Sequence, residues 1–259
     1  MASIQFPLAQ VQLFFLVFLR VSIILVILPL FDSRSIPPML KAGLALAVSI
    51  LVFPLLNVKQ MPLITEAIPF GLGVVTELIL GFAIGLSVRL IFAGIQLAGQ
   101  LAGYQMGFGI VNVMDPLNHA QVSIMAHLSY LIAILIFLSV NAHHWFLYAM
   151  ADSFQVIPPM EFHIAGTLTG QMVDLAAEMF TIAIKISAPI MVVLLLTSVA
   201  LGVVSRTVPQ MNIFIVAFPL KIFVGIIFFI LTLPYLSAYM QEMFGGIGQI
   251  VTGVLQSGR

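Results

Sequence analysis

An all-α integral membrane protein is the fold this sequence predicts, and three observations predict it. Of its 259 residues 62% are hydrophobic and only 7% are charged, with a mean hydropathy of +1.21, which leaves too little polar surface to coat a soluble globule of this length. The apolar residues gather into runs of roughly 20, the length at which a helix crosses a bilayer. The connections between runs are short and mostly polar, so no soluble domain fits anywhere.

About six runs qualify: 8–31, 40–56, 69–95, 122–150, 175–204 and 210–240. The first follows an N-terminus without Lys or Arg and contains Arg20, a pattern unlike a cleaved signal peptide, so this segment is expected to remain in the mature protein. The links at 32–38 and 57–68 deliver the second and third runs, and Gly-x-x-x-Gly at 81–85 in the third reads as helix packing. Several runs exceed the roughly 20 residues a bilayer core requires, which predicts tilt, kinks or helix beyond the hydrocarbon. Pro189 and Pro219 are expected to bend or break the last two. Those two, joined by 205–210, read as a helical hairpin, and the first four as a separate sub-bundle. The expected division is therefore 1–165 and 166–259.

The most informative stretch is 99–116, which lies between the third and fourth runs. Gly99, Gly103 and Gly107 recur every four residues, which lines one helix face with small residues and lets another backbone come close. Beyond Gly107 the turn-favouring Gly109, Asn112, Asp115 and Pro116 predict that the chain leaves the helix as an apolar loop at membrane depth. Such a loop is tolerated only where protein buries it or it lines a cavity. The residue types suit a pore plug, and equally a re-entrant packing loop without a gating role.

Charge excludes several functions. The net charge is zero and no basic run occurs, so nucleic acid is set aside as a partner. There is no cysteine, which removes disulfides, thiolate metal sites and cysteine nucleophiles together. Arg34, Lys41, Arg89 and Arg206 fall on one side of the alternating loops and Lys59 and Arg259 on the other, which puts the first set in the cytoplasm and the N-terminus outside. Arg20, Glu77, Glu178, Lys185 and Lys221 lie within apolar runs, where a charge is costly and invites a functional reading. Glu178 and Lys185 lie about two turns apart on one face. Assembly-stabilising ion pairs account for these charges at least as well as proton relays do.

Asn141-Ala-His-His-Trp145 suggests a metal cluster, but adjacent histidines point to different faces of a helix, and His119, His127 and His163 lack ligand spacing. Beside a Trp, the pair suits a membrane–water interface better. No Ser/His/Asp grouping, paired carboxylates or phosphate-cradling loop occurs at a mechanistic spacing, so neither an enzyme, a metal nor a cofactor is expected.

The run Arg206-Thr-Val-Pro-Gln-Met-Asn-Ile-Phe-Ile-Val-Ala-Phe-Pro-Leu-Lys-Ile-Phe-Val-Gly225 resembles the signature hairpin of the FliR family of flagellar biosynthetic proteins. Gly103-Tyr-Gln-Met-Gly107 with Asp115-Pro116, then Asn141-Ala-His143, Ala188-Pro189 and Gly202, extend the resemblance over essentially the whole chain. It implies a subunit of the type III export gate in the bacterial inner membrane at the flagellar basal body. The implied partners are FliP-like and FliQ-like subunits, FlhB-like and FlhA-like components, and unfolded export substrates. It also implies a FliP-like N-terminal part and a FliQ-like C-terminal hairpin, with Arg206, Pro209, Gln210, Pro219 and Lys221 serving hairpin and assembly. The family's channel-closing loop maps onto 106–116 here, with Met106, Phe108, Ile110, Val113 and Met114 as the plug. Ile110 and Val113 are aliphatic where relatives carry aromatics, which shifts the expected seal towards Phe108 and the methionines. The competing class is an ion-coupled secondary transporter or channel subunit, in which Glu77, Glu178, Lys185 and Lys221 would be the coupling residues.

Overall fold

The computed structural model describes residues 8–31, 36–56, 64–108, 123–162, 166–207, 210 and 212–258. Among these, every regular element is helical: α1 Leu8–Ile27, α2 Pro38–Val52, α3 Ala67–Met106, α4 Ile124–Ser139, α5 Ala142–Val156, α6 Gly166–Thr207, α7 Ile213–Gly245 and α8 Ile247–Ser257, with a 3-10 turn at Phe53–Leu55. Four stretches, Leu8–Ile27, Ala67–Met106, Gly166–Thr207 and Ile215–Ser257, are long and apolar enough to cross a membrane, or five if α4 and α5 count as one broken span. The chain is an all-α membrane protein.

The six apolar runs all lie on helices, but they are unequal. The second corresponds to α2, which has 15 residues and falls short of a full crossing. The fourth is two helices bent by 72°. The bend has a local cause: Asn141 sits in the left-handed region, φ 57 and ψ 26, which its short polar side chain tolerates and which no helix can continue through. Residues 99–106 are helical and belong to α3, whose 40 residues give a rod of about 60 Å, twice the hydrocarbon thickness. Pro189 lies inside α6, and Pro219 and Pro234 inside α7, without ending either helix. Proline is carried in membrane helices when neighbouring groups take up the freed carbonyl.

The chain forms two compact units, each built from separated stretches: the first from Met1–Leu90, Asn141–Leu175 and Gly246–Arg259, the second from Ile91–Val140 and Ala176–Gly245. In the first, α1 packs on α2 and α5 on α8. Gly81 and Gly85 let α3 lie close to α1, since a β-carbon at Gly85 would stand 2.9 Å from the Cβ of Ile27. Helix α8 buries Ile247, Val251, Val254 and Leu255. Its last turn is tied down where Thr167 Oγ1 donates to the Ser257 carbonyl at 2.6 Å. In the second unit, the rings of Phe92, Phe137 and Phe244 meet at centroid distances of 5.2 to 5.5 Å. Around Met106 lies an apolar cluster of Ala102, Met125, Ile190, Leu194 and Phe229.

Candidate functional site

Helix α3 ends at a cap that Gly107 creates. Gly107 has φ 96, Phe108 N–H donates to the Gly103 carbonyl at 3.1 Å, and Gly107 N–H donates to the Tyr104 carbonyl at 3.1 Å. This is the Schellman arrangement, in which a left-handed glycine satisfies the last carbonyls of a helix and turns the chain out of it. The two preceding glycines do something else. A β-carbon at Gly99 would lie 2.6 Å from the Met125 carbonyl oxygen and 2.8 Å from the Ala126 Cα, and one at Gly103 would lie 2.8 Å from Ser123 Oγ. Ser123 is the N-cap of α4, its hydroxyl accepting from Ala126 N–H at 3.4 Å. Gly99 and Gly103 thus bring α3 against the start of α4, while Gly107 ends α3.

Met106 is fully buried, and Phe108 packs half-buried on the same cluster. Helix α7 packs against this end of α3. A β-carbon at Gly225 would approach within 2.7 Å of Met106 Cγ, and one at Gly107 would meet the Phe218 ring at 2.7 Å. Ile110, Val113 and Met114, as well as Asp115 and Pro116, lie outside the described residues, as does Pro209. Gln210 and Pro219 are exposed, Lys221 is half-buried, and Arg206 is exposed on the last turn of α6, where a cation suits the helix dipole.

The intramembrane charges divide into two kinds. Arg20, near the middle of α1, and Glu77, on α3, are both fully buried and form a bidentate pair, Nε to Oε2 at 2.5 Å and Nη2 to Oε1 at 3.0 Å. Arg20 Nη1 also donates to the carbonyls of Ser153 at 3.1 Å and Ile157 at 3.0 Å, the C-terminal end of α5. Its guanidinium lies 4.2 Å over the ring of Phe154. Glu77 Oε1 accepts a further bond from Met160 N–H at 3.1 Å. Every nitrogen of the guanidinium and both carboxylate oxygens are engaged. A lone charge here would cost about 2.5–3.5 kcal/mol on insertion scales. By contrast, Glu178 and Lys185 are exposed on α6, and among the described residues no ion pair joins them. Seven residues amount to about 10 Å of rise, too far for direct contact. The Lys185 ammonium instead lies 5.8 Å over the Tyr239 ring.

His143 and His144 lean together, with ring centroids 4.2 Å apart, rather than diverging to separate faces. Both lie in the first turn of α5, immediately after the Asn141 bend. Among the described residues no group of three or more His, Cys, Asp or Glu is placed to hold a metal ion.

Long apolar faces remain uncovered on α6 and α7: Ile184, Leu196, Val203, Phe223, Leu231 and Tyr235 are all more than half exposed. Helices this long and apolar suit a membrane. A sequence model of the family described as bacterial export proteins, family 1, matches residues 11–247. The chain belongs to that family. It is 34% identical to the flagellar biosynthetic protein FliR of Bacillus subtilis (strain 168) over 89% of this chain and 90% of that protein. The proteins of the same name from Pectobacterium carotovorum subsp. carotovorum and Escherichia coli (strain K12) are 30% and 28% identical, covering 95% and 96% of this chain and 93% and 94% of their own lengths. This member of the family is therefore a multi-pass membrane component of flagellar protein export, and the family is one of export proteins, not of enzymes.

Sequence reasoning placed Arg20 and Glu77 inside apolar runs but did not join them. They are 57 residues apart, and no local pattern marks a contact at that separation. The turn at 158–161 that they hold was also missed, although Pro158-Pro159 was a visible signal for it.

Proposed function

We propose that this chain is a structural and gating subunit of the flagellar type III export channel in the bacterial inner membrane, assembling with FliP-like and FliQ-like subunits and helping to seal the pore. The observation that carries the reading is the root of the loop. A Schellman cap at Gly107 directs the chain out of α3 immediately after a fully buried Met106, so the following apolar residues depart from a fixed point. In this reading Met106 anchors the plug, while Phe108, Ile110, Val113 and Met114 supply its bulk. Phenylalanine gives rigid volume, and methionine conforms to an irregular gap and yields to a passing chain. A constriction of such side chains also blocks ions by excluding water.

Partners follow from the uncovered faces. In the most apolar stretch of α6 only 28% of residues are buried, against 61% in α3, and α7 is exposed at Phe223, Leu231 and Tyr235. FliQ-like helices packing on this hairpin would cover them, with Arg206, Pro209, Gln210, Pro219 and Lys221 shaping the contact. FlhB-like and FlhA-like components and unfolded substrates complete the assembly. A division near residue 165 into a FliP-like part and a FliQ-like hairpin belongs to this reading; the compact units themselves interleave along the chain. The cytoplasmic side is taken as that of Arg34, Lys41, Arg89 and Arg206.

The test is a gate assembled with a chain lacking residues 108–113. Conductance and small-solute uptake should rise at equal complex abundance; unchanged leakage would sink the plug. Failure of the chain to co-purify with FliP-like and FliQ-like subunits would sink the assembly.

A further inference from the structure

The Arg20–Glu77 pair holds more than itself. Residues 158–161 form a four-residue turn, closed by Glu161 N–H donating to the Pro158 carbonyl at 3.1 Å. Pro159 stands second and Met160 third, with φ 72. The third position of such a turn belongs to glycine or asparagine, because a β-carbon is crowded at positive φ. Methionine is kept there from two sides. Its N–H donates to Glu77 Oε1 at 3.1 Å. Its side chain fills the notch left by Gly73, where a β-carbon would stand 3.0 Å from Met160 Cγ. The segment just before the turn is fixed by the other half of the pair, since Arg20 binds the Ser153 and Ile157 carbonyls. A backbone outlier of this kind persists only where its surroundings over-determine it, and here the surroundings are two buried charges from two other helices.

We propose that Arg20 and Glu77 are positioning residues whose task is to hold the end of α5 and the strained 158–161 turn in place, and that Glu77 is not a proton carrier in export. Both carboxylate oxygens are occupied by donors, Nε and Nη2 of Arg20 and the Met160 amide, and the pair is charge-neutral as it stands. A relay residue needs a partner that accepts and releases a proton, whereas an arginine keeps its own.

The test couples the pair to the turn. In full-length chains expressed in the native cell, Glu77→Gln, Met160→Gly and the double variant are compared for membrane abundance, thermal unfolding after solubilisation, and secretion of flagellar subunits. Glu77→Gln is expected to lower abundance and unfolding temperature together with secretion. Adding Met160→Gly, which relieves the positive φ, should restore secretion by about threefold or more, because the turn no longer needs its clamp. Strictly additive losses would overturn the proposal, since a pair that merely neutralises charge is indifferent to glycine at position 160. Normal abundance and unfolding with secretion down by about tenfold in Glu77→Gln would overturn it too, in favour of proton coupling. If the Glu77→Gln chain does not accumulate, Arg20→Lys carries the same test. It keeps the charge and loses the planar fork, and the same rescue by Met160→Gly is required of it.

Discussion

Two pairs of charges within the apolar runs, one in each compact unit, are treated in opposite ways. In the first, Arg20 and Glu77 are buried completely and every polar atom of the pair is engaged within the chain. In the second, Glu178 and Lys185 stand exposed on a helix whose neighbouring surface includes Phe180 and Ile184, 56% and 61% exposed. Burying a charge inside one's own fold makes that region self-sufficient, because the compensation travels with the chain. Leaving charges on an apolar face makes a region that is finished only by water or by another protein. The surroundings of Arg20 and Glu77 therefore read as a closed scaffold, and the α6 face around Glu178 and Lys185 as an open one.

The comparison is broken most directly at Arg20. Arg20→Ala leaves the Glu77 carboxylate buried and unpaired, and it should destabilise the chain by about 3–5 kcal/mol. Replacing both residues by leucine should recover part but not all of that loss, because the α5 carbonyls and the Met160 amide lose their partners as well. Thermal unfolding of the solubilised protein reads both. If Arg20→Ala unfolds like the wild type, the closed-scaffold reading is wrong.

A smaller effect is expected within the second unit at its closest crossing. Gly99→Val drives side-chain atoms into the α4 backbone at Met125 and Ala126 and should cost about 1–3 kcal/mol, with α4 displaced. Gly107→Ala places a β-carbon at φ 96 against Phe218 and should cost about 1–2 kcal/mol. Hydrogen exchange at the ends of α3 and α4 would register both as local loosening.

The least effect on the isolated chain is expected where the charges are exposed. Glu178→Ala with Lys185→Ala should change unfolding by no more than about 0.5 kcal/mol. If these residues serve docking, the same pair of changes should lower the yield of the assembled complex. Equal yield at equal expression would make their exposure a matter of solvent alone.

How much of this was legible beforehand differs by feature. Hydropathy located the helices because it is a property of each run taken alone, and Gly107 followed by Gly109 marked the exit from α3 for the same reason. The bend at Asn141 was not legible. The apolar run continues through it, and the left-handed conformation rests on a single residue inside 122–150. Helix α8 lies beyond the last strong run, and its signal is periodicity rather than bulk hydropathy: Ile247, Val251, Val254 and Leu255 repeat at intervals that line one face. The Arg20–Glu77 pair and the turn it holds were invisible for another reason. A contact across 57 residues is decided by how α1 and α3 approach, and that approach rests on Gly81 and Gly85, whose spacing shows that a helix packs but not on which one.

The position of α8 has a consequence for how the protein is made. It packs on α5 and is tied to Thr167, yet it is synthesised after every other helix described here. The first unit, which begins with α1, therefore cannot close until the ribosome has passed through the whole of the second. During that interval α5 emerges with an unclaimed face, and whatever escorts the nascent chain into the bilayer has to shield that face for the time it takes to translate about a hundred residues, several seconds or more at ordinary elongation rates.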